Sequence, residues 1–214
     1  MLDTNLNAVP DVVILRLPLY IRALNVLLNE QKDVVSSRQL GSFLQMEPAQ
    51  IRKDLSYFGR FGKQGRGYNV EFLVNELGQI LGLDRKWLTC LVGMGRLGQA
   101  IINYPGFAPE GFDIVAAFDS DTRQIGTDVG GIKVLPMLSI GPTIEKRKVA
   151  IAIVAVPAQQ AQSVVDQLIH AGIKGILNYA PVALKVPTDI VMRNIDPVVS
   201  LQSLTFYLLR NQQR

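Results

Sequence analysis

The sequence predicts an α/β chain in two parts: a compact helical region closed by a β-hairpin, then a doubly wound parallel sheet, with one helix left over at the C-terminus. Three observations carry that prediction. Helical periodicity dominates residues 1–84, gives way over 85–197 to apolar runs alternating with helices, and leaves 198–214 as a separate helical segment. A glycine-rich basic stretch directly follows a basic helix in the first part. A strand, a glycine turn and a helix succeed one another at the start of the second.

The first helix is read from Val12 to Leu28, where Ile14, Leu17, Ile21, Leu24 and Leu28 recur at helical spacing, with Pro18 expected near its start because a missing amide matters least there. Ser36 followed by Gln39 reads as a capping box that opens a short helix through Leu40, Phe43 and Leu44. After a turn at Gln45 to Glu47, Pro48 suits the first turn of a third helix. At about 100° per residue, Ile51, Leu55 and Phe58 of that helix fall on one inward arc. The opposite face carries Ala49, Lys53, Ser56 and Arg60, flanked by Gln50, Arg52 and Tyr57. Small, polar and cationic groups in that mixture suit phosphates and base edges. Gly59 to Tyr68 then reads as a hairpin, its glycines permitting reversal while Lys63 is placed for a phosphate and Arg66, at the tip, for a narrow minor groove. The whole is a winged helix-turn-helix.

Charge supports the same reading. Net charge is +4, and Ser36 to Tyr68 holds six basic residues (Arg38, Arg52, Lys53, Arg60, Lys63, Arg66) against Glu47 and Asp54, which accounts for all of it. The excess is local rather than spread over a solvated surface. No apolar run reaches the roughly 18 residues of a membrane span and no signal-peptide pattern opens the chain, so a cytoplasmic protein is expected. The one cysteine, Cys90, lies in an apolar run and is expected to be a buried, inert thiol.

Glu71 to Leu81 reads as a further amphipathic helix ended by Gly82, with the boundary between the parts at Gly82 to Lys86. Trp87 to Val92 is a buried strand leading into Gly93-Met94-Gly95-Arg96-Leu97-Gly98 and a helix. Another strand, Ile114 to Phe118, ends in Asp119, 21 residues past Gly98. In that context Gly93 allows a tight turn, Gly95 lets backbone amides approach a pyrophosphate, and Gly98 permits close helix–sheet packing. Asp119 would accept from ribose hydroxyls and repel a 2′-phosphate, favouring NAD(H) over NADP(H). Further strands are expected near Ile132 to Leu135, Val149 to Val156, Gly175 to Asn178 and Ile190 to Asp196, with a helix around Ile144 and another over Ala158 to Ala171. This is a Rossmann-type alternation, and Ala155, Val156 and Pro157 fall where the nicotinamide half of a dinucleotide is expected. Val198 to Arg210 forms an apolar helix that either packs back on its own domain or is buried by a partner subunit.

An enzyme of this fold needs a proton donor or acceptor beside the nicotinamide. His170, the only histidine, is expected to cap a helix, Lys174 and Lys185 lie in connections, and no metal site, nucleophile elbow or Walker loop is present. The preferred reading is a cofactor bound as a signal. An NAD-dependent oxidoreductase with an accessory helical domain, or a CoA-binding ligase-type domain, are the alternatives.

Five segments together resemble the Rex family of redox-sensing transcriptional repressors: RLPLYIRAL (Arg16 to Leu24), QIRKDLSYFGRFGKQGRGYNV (Gln50 to Val70), LVGMGRLGQA (Leu91 to Ala100), AAFDSD (Ala116 to Asp121) and AGIKGILNYAPVAL (Ala171 to Leu184). The resemblance implies a homodimer with C-terminal helices exchanged between subunits and two winged helices on a palindromic operator, which NADH releases and NAD⁺ does not. It adds Arg16 to the DNA-facing set and carries a switching relay onto Arg22, Tyr104 and Asp196. Pro197 departs from the family's pattern, which has an aromatic residue beside the aspartate. Since the two cofactor forms differ in the charge and planarity of the nicotinamide ring, sensing is expected near Tyr104, Val156 and Asp196.

Overall fold

The computed structural model describes residues 9–63 and 66–212, without the side chains of residues 63, 211 and 212. The chain divides into two compact units, Met1–Arg85 and Lys86–Arg214. Among the described residues no helix is long and apolar enough to cross a membrane.

In the first unit, α1 (Asp11–Asn29) packs against α2 (Ser37–Leu44), α3 (Pro48–Ser56) and α4 (Val70–Ile80). Leu17, Tyr20, Leu24, Leu40, Ile51, Leu73 and Leu77 are fully buried among these helices. The predicted capping box is present: the Ser36 hydroxyl accepts from the Gln39 amide at 3.1 Å, and the Gln39 side chain accepts from the Ser36 amide at 2.9 Å. Pro18 does not open α1 but lies inside it, Pro10 standing at the N-cap instead. Burial of Leu17, Tyr20 and Ile21 on either side of it holds the helix through a residue whose own propensity opposes it. Three short strands, β1 (Val34–Val35), β2 (Gly62–Lys63) and β3 (Gly67–Asn69), form an antiparallel sheet in the order β1-β3-β2. The hairpin is thus tied down by a two-residue strand that sequence periodicity does not reveal.

The second unit is a seven-stranded sheet in the order β10-β9-β8-β4-β5-β7-β6. Its strands are β4 (Trp87–Val92), β5 (Phe112–Asp119), β6 (Asp128–Val129), β7 (Ile132–Pro136), β8 (Ile151–Val154), β9 (Gly175–Asn178) and β10 (Val191–Asn194). All pairs are parallel except β6 with β7. Setting β6 aside, this is the dinucleotide-fold order 3-2-1-4-5-6, with the reversal between β4 and β8. The sheet is therefore mixed rather than purely parallel, and its alternation is incomplete: no α-helix joins β5 to β7 or β9 to β10.

Side chains alternate across the pleat. Cys90, Val92, Ala116, Phe118, Ala152 and Val154 point to the face covered by α6 (Ile140–Arg147) and α7 (Ala158–His170), while Leu91, Ala117 and Ile153 point to the face covered by α5 (Arg96–Ile102). Cys90 is buried as expected, and burial pushes its thiol up to about 12. The last helix, α8 (Pro197–Gln212), contributes nothing to either face: Val199, Leu201, Leu204, Tyr207, Leu208 and Leu209 are each 54–62% exposed.

Candidate nucleotide cleft and nucleic-acid interface

The cleft is built at the carboxyl ends of β4 and β8, the neighbouring strands between which the strand order reverses. Gly93 has φ +96°, which favours glycine, and its amide donates to the Phe118 carbonyl at 2.9 Å. A Cβ there would lie 2.5 Å from the Ala155 carbonyl oxygen and 2.9 Å from Val156 Cγ1, so only glycine lets the turn close against β8. A Cβ on Gly98 would collide with the Gly93 carbonyl, which is how α5 comes to lie directly on the turn. Gly95, the N-cap of α5, is different: nothing lies within 4 Å of the place a Cβ would take. Two glycines are filled by protein and the middle one faces open space, the pattern required for a phosphate to approach backbone amides.

Asp119 completes this frame from the end of β5. Its Oδ2 accepts from the Met94 amide at 2.5 Å and its Oδ1 from the Asp121 amide at 2.8 Å. The carboxylate is therefore fixed at the rim of the glycine turn, with lone pairs left for ribose hydroxyls. Met94 itself is fully buried, so it can serve a nucleotide only through its backbone; Arg96 and Leu97 are exposed at the head of α5. Gln99 supports the same turn, donating to the Met94 carbonyl at 3.2 Å. Glycine cradle and ribose acceptor together fit a dinucleotide without a 2′-phosphate.

The proposed sensing residues are placed less tightly. Ala155 and Val156 lie against Gly93, with Pro157 at the N-cap of α7. Tyr104 is 58% exposed after α5, edge-on to Phe107 with ring centroids 5.2 Å apart. Asp196 accepts from the Val198 amide at 2.9 Å and so caps α8, whose first residue is Pro197. Proline thus suits that position as a helix start, whatever it withholds from the nicotinamide side. Asn178, fully buried, donates to the Asn194 side chain at 2.9 Å and to the Ala180 carbonyl at 3.0 Å, holding the end of β9 to the strand that leads to Asp196. Arg22 is exposed on α1 of the first unit.

In the first unit, Ile51, Leu55 and Phe58 are buried as expected, and Ala49, Arg52, Lys53 and Ser56 are exposed. One placement differs. Helix α3 ends at Ser56, Tyr57 is its C-cap, and Gly59 at φ +135° turns the chain, so Arg60 belongs to the approach to the wing rather than to the helix face. Arg60 and Arg66 are brought together across β2 and β3, lining a hollow of about 330 Å³ with Asn69. The Lys63 side chain lies outside the described residues. Arg52 donates to the Ser37 hydroxyl at 3.0 Å, joining the reading helix to the start of α2.

Arg16 and Gln50 do something sequence reasoning misses. Both donate to Asp54, which also accepts from the Tyr20 hydroxyl at 2.5 Å. Asp54 is fully buried. Burial alone raises a carboxyl, but the Arg16, Tyr20 and Gln50 donors outweigh it and hold Asp54 below the ordinary carboxylate range; burial together with the Asp54 charge raises the Tyr20 hydroxyl far above its own. The signal was present in the sequence, since Asp54 lies on the same inward arc as Ile51 and Leu55, where a charge must have partners.

A basic reading helix with a hairpin wing, carried on the same chain as a dinucleotide fold, defines a DNA-binding regulator with a sensor domain. Comparison with known proteins makes the class particular. A family model for a DNA-binding protein N-terminus matches residues 8–56, and one for a CoA binding domain matches residues 84–182. The redox-sensing transcriptional repressor Rex of Chloroflexus aggregans is 54% identical over 95% of this chain and 96% of its own, and that of Roseiflexus sp. is 50% identical over 94% and 92%. Among solved structures, RSP with β-NAD⁺ and operator DNA superposes with a TM-score of 0.91 at 40% identity over 96% of this chain and 94% of that one. RSP with β-NADH gives 0.87 at 38% identity over 96% and 97%. The chain belongs to the Rex family of redox-sensing transcriptional repressors, which are regulators and not dehydrogenases.

Proposed function

We propose that this chain acts in the cytoplasm as a homodimer that binds a palindromic operator through two winged helices and is released when NADH, rather than NAD⁺, occupies the cleft at Gly93 to Gly98. The observation that carries this is the coupling of Asp119 to the Met94 amide: turn and ribose acceptor form one preorganised unit, on a chain whose other unit presents an exposed Lys53, Arg52 and Ser56. In this reading Gly93, Gly95, Gly98 and Asp119 hold either cofactor form alike. Bound there, the reduced cofactor presents an uncharged nicotinamide and the oxidised one a cation. Tyr104, Val156 and Asp196 respond to that difference, and Arg22 relays it to the reading helices. The exposed apolar side of α8 supports the dimer, with the helices exchanged between subunits and packing on the helix's own domain set aside. Linkage demands reciprocity: operator must weaken NADH binding by the factor with which NADH weakens operator binding. A mobility-shift titration on a palindromic duplex tests the proposal. NADH should shift the midpoint to higher protein concentration while NAD⁺ leaves it in place; equal retention with the cleft empty, oxidised or reduced would refute it.

A further inference from the structure

Three side chains from two helices converge, through four hydrogen bonds, on one buried carboxylate. Arg16 gives its Nε to Asp54 Oδ2 at 2.6 Å and its Nη2 to Oδ1 at 2.7 Å. Tyr20, one turn further along α1, donates to Oδ2 at 2.5 Å, and Gln50, one turn back along α3, donates to Oδ1 at 2.6 Å. Each oxygen thus takes two donors, which fills the acceptor capacity of a carboxylate. The Asp54 side chain is 0% exposed and that of Arg16 only 20%. Ile51, Leu55 and Phe58 also pack α3 on the core, but apolar contact is non-directional and tolerates small rotations and slides of a helix. A guanidinium fork is directional. It fixes the rotation and axial position of α3 against α1, and the face so aimed is the one bearing Ala49, Lys53 and Ser56.

We infer that the Arg16–Tyr20–Asp54–Gln50 cluster is a positioning centre for operator reading: it determines sequence discrimination by aiming α3, and Arg16 is a positioning residue rather than a phosphate contact. The inference rests on the repressor reading above. Phosphate contacts supply affinity that is indifferent to sequence and dependent on salt, whereas base-edge contacts depend on the aim of the helix. Loss of the cluster should therefore reduce operator affinity while sparing both non-specific affinity and the salt slope.

The test uses the full-length chain and two duplexes: the palindrome that the wild-type chain selects most strongly from a randomised pool, and a scrambled duplex of the same composition. Three variants are compared: Arg16→Lys, Tyr20→Phe, and the double change Arg16→Met with Asp54→Leu. The double variant replaces the ion pair by apolar groups, a change that folded proteins commonly accept, and thermal melting verifies each fold. For Arg16→Lys and the double variant, affinity for the selected duplex should fall roughly tenfold or more, the scale of one lost base contact, with scrambled-duplex affinity within about twofold of wild type and an unchanged salt slope. Tyr20→Phe should move the ratio the same way but less. Two results would overturn the inference: a folded double variant that discriminates as wild type does, or Arg16 variants that weaken both duplexes alike with the slope reduced by about one. Failure of the wild-type chain to select any duplex would instead remove the repressor reading, and this inference with it.

Discussion

Replacing Gly98 with alanine should separate the mechanical role of the glycine turn from its role toward a nucleotide. The added Cβ would stand 2.9 Å from the Gly93 carbonyl carbon and closer still to its oxygen, both backbone atoms. Non-bonded carbons rest about 3.5–4.0 Å apart, so the carbon contact alone asks α5 to withdraw by about 0.6–1.1 Å, and the nearer oxygen asks for at least as much. A gap of that size forfeits about a quarter to a half of the dispersion attraction across it, and overpacking of this kind costs about 1–3 kcal/mol. Because no rotamer change relieves a backbone clash, the upper end applies. At about 2–4 °C per kcal/mol for a chain of this length, 3 kcal/mol lowers the unfolding midpoint by about 6–12 °C. Trp87, the only tryptophan, opens β4 in the same unit, and its emission on heating reports that transition. Gly95→Ala is the control. Its Cβ would meet nothing within 4 Å and its φ of −65° suits alanine, so it should melt as wild type does yet bind NADH more weakly. A Gly98→Ala protein melting within about 1 °C of wild type, or a Gly95→Ala protein destabilised as much, would refute the packing argument.

Four further outcomes follow from other parts of the molecule. Lys53→Ala should weaken operator binding and lower the slope of log affinity against log salt by about one; unchanged binding would remove Lys53 from the interface. Asp119→Asn should narrow the preference for NADH over NADPH in a fluorescence titration, since the repelling charge is gone; unaltered selectivity would mean that another group reads the ribose. Cys90 should resist alkylation in the native protein at pH 8 and react fully in denaturant. Because its thiol is held up near 12 by burial, its contribution to stability is complete below the ordinary thiol range and declines as pH rises from about 9 toward 12, which denaturant midpoints across that range can check. Leu204→Glu with Leu208→Glu should convert the proposed dimer to a monomer by light scattering, because both side chains are more than half exposed on α8 of one chain; a persisting dimer would place the interface elsewhere.

Where the sequence was legible, the local signal was chemical rather than statistical. Ser36 and Gln39 announced a helix start because each supplies what the other's backbone lacks. Trp87–Val92 and Gly175–Asn178 occupy the predicted strands because continuous apolar runs bounded by glycine or polar residues leave little alternative. The glycine turn could be read because its three positions make three different steric demands. What stayed hidden depended on distant partners. Strands β1 and β6 are two residues each, too short to show a period, and exist because β3 and β7 are there to pair with them. Propensity alone places Pro18 at a helix start, whereas core packing on either side holds it in the interior of α1. Arg60 fits the periodicity of α3, but the helix ends at Ser56 and Gly59 turns the chain before Arg60 is reached. Asp54 reads in the sequence as one acid in a basic run, because its two donors on α1 lie 34 and 38 residues away.

The outermost strand of the large sheet has a consequence of its own. β6 runs against β7, spans only Asp128 and Val129, and turns back through Gly130 and Gly131. A foreign strand approaching that margin finds almost no free backbone ladder to extend, and an exposed carboxylate at Asp128 stands in its way. Edge-to-edge growth into fibres is thereby discouraged on that side of the sheet, whatever partner the rest of the chain meets.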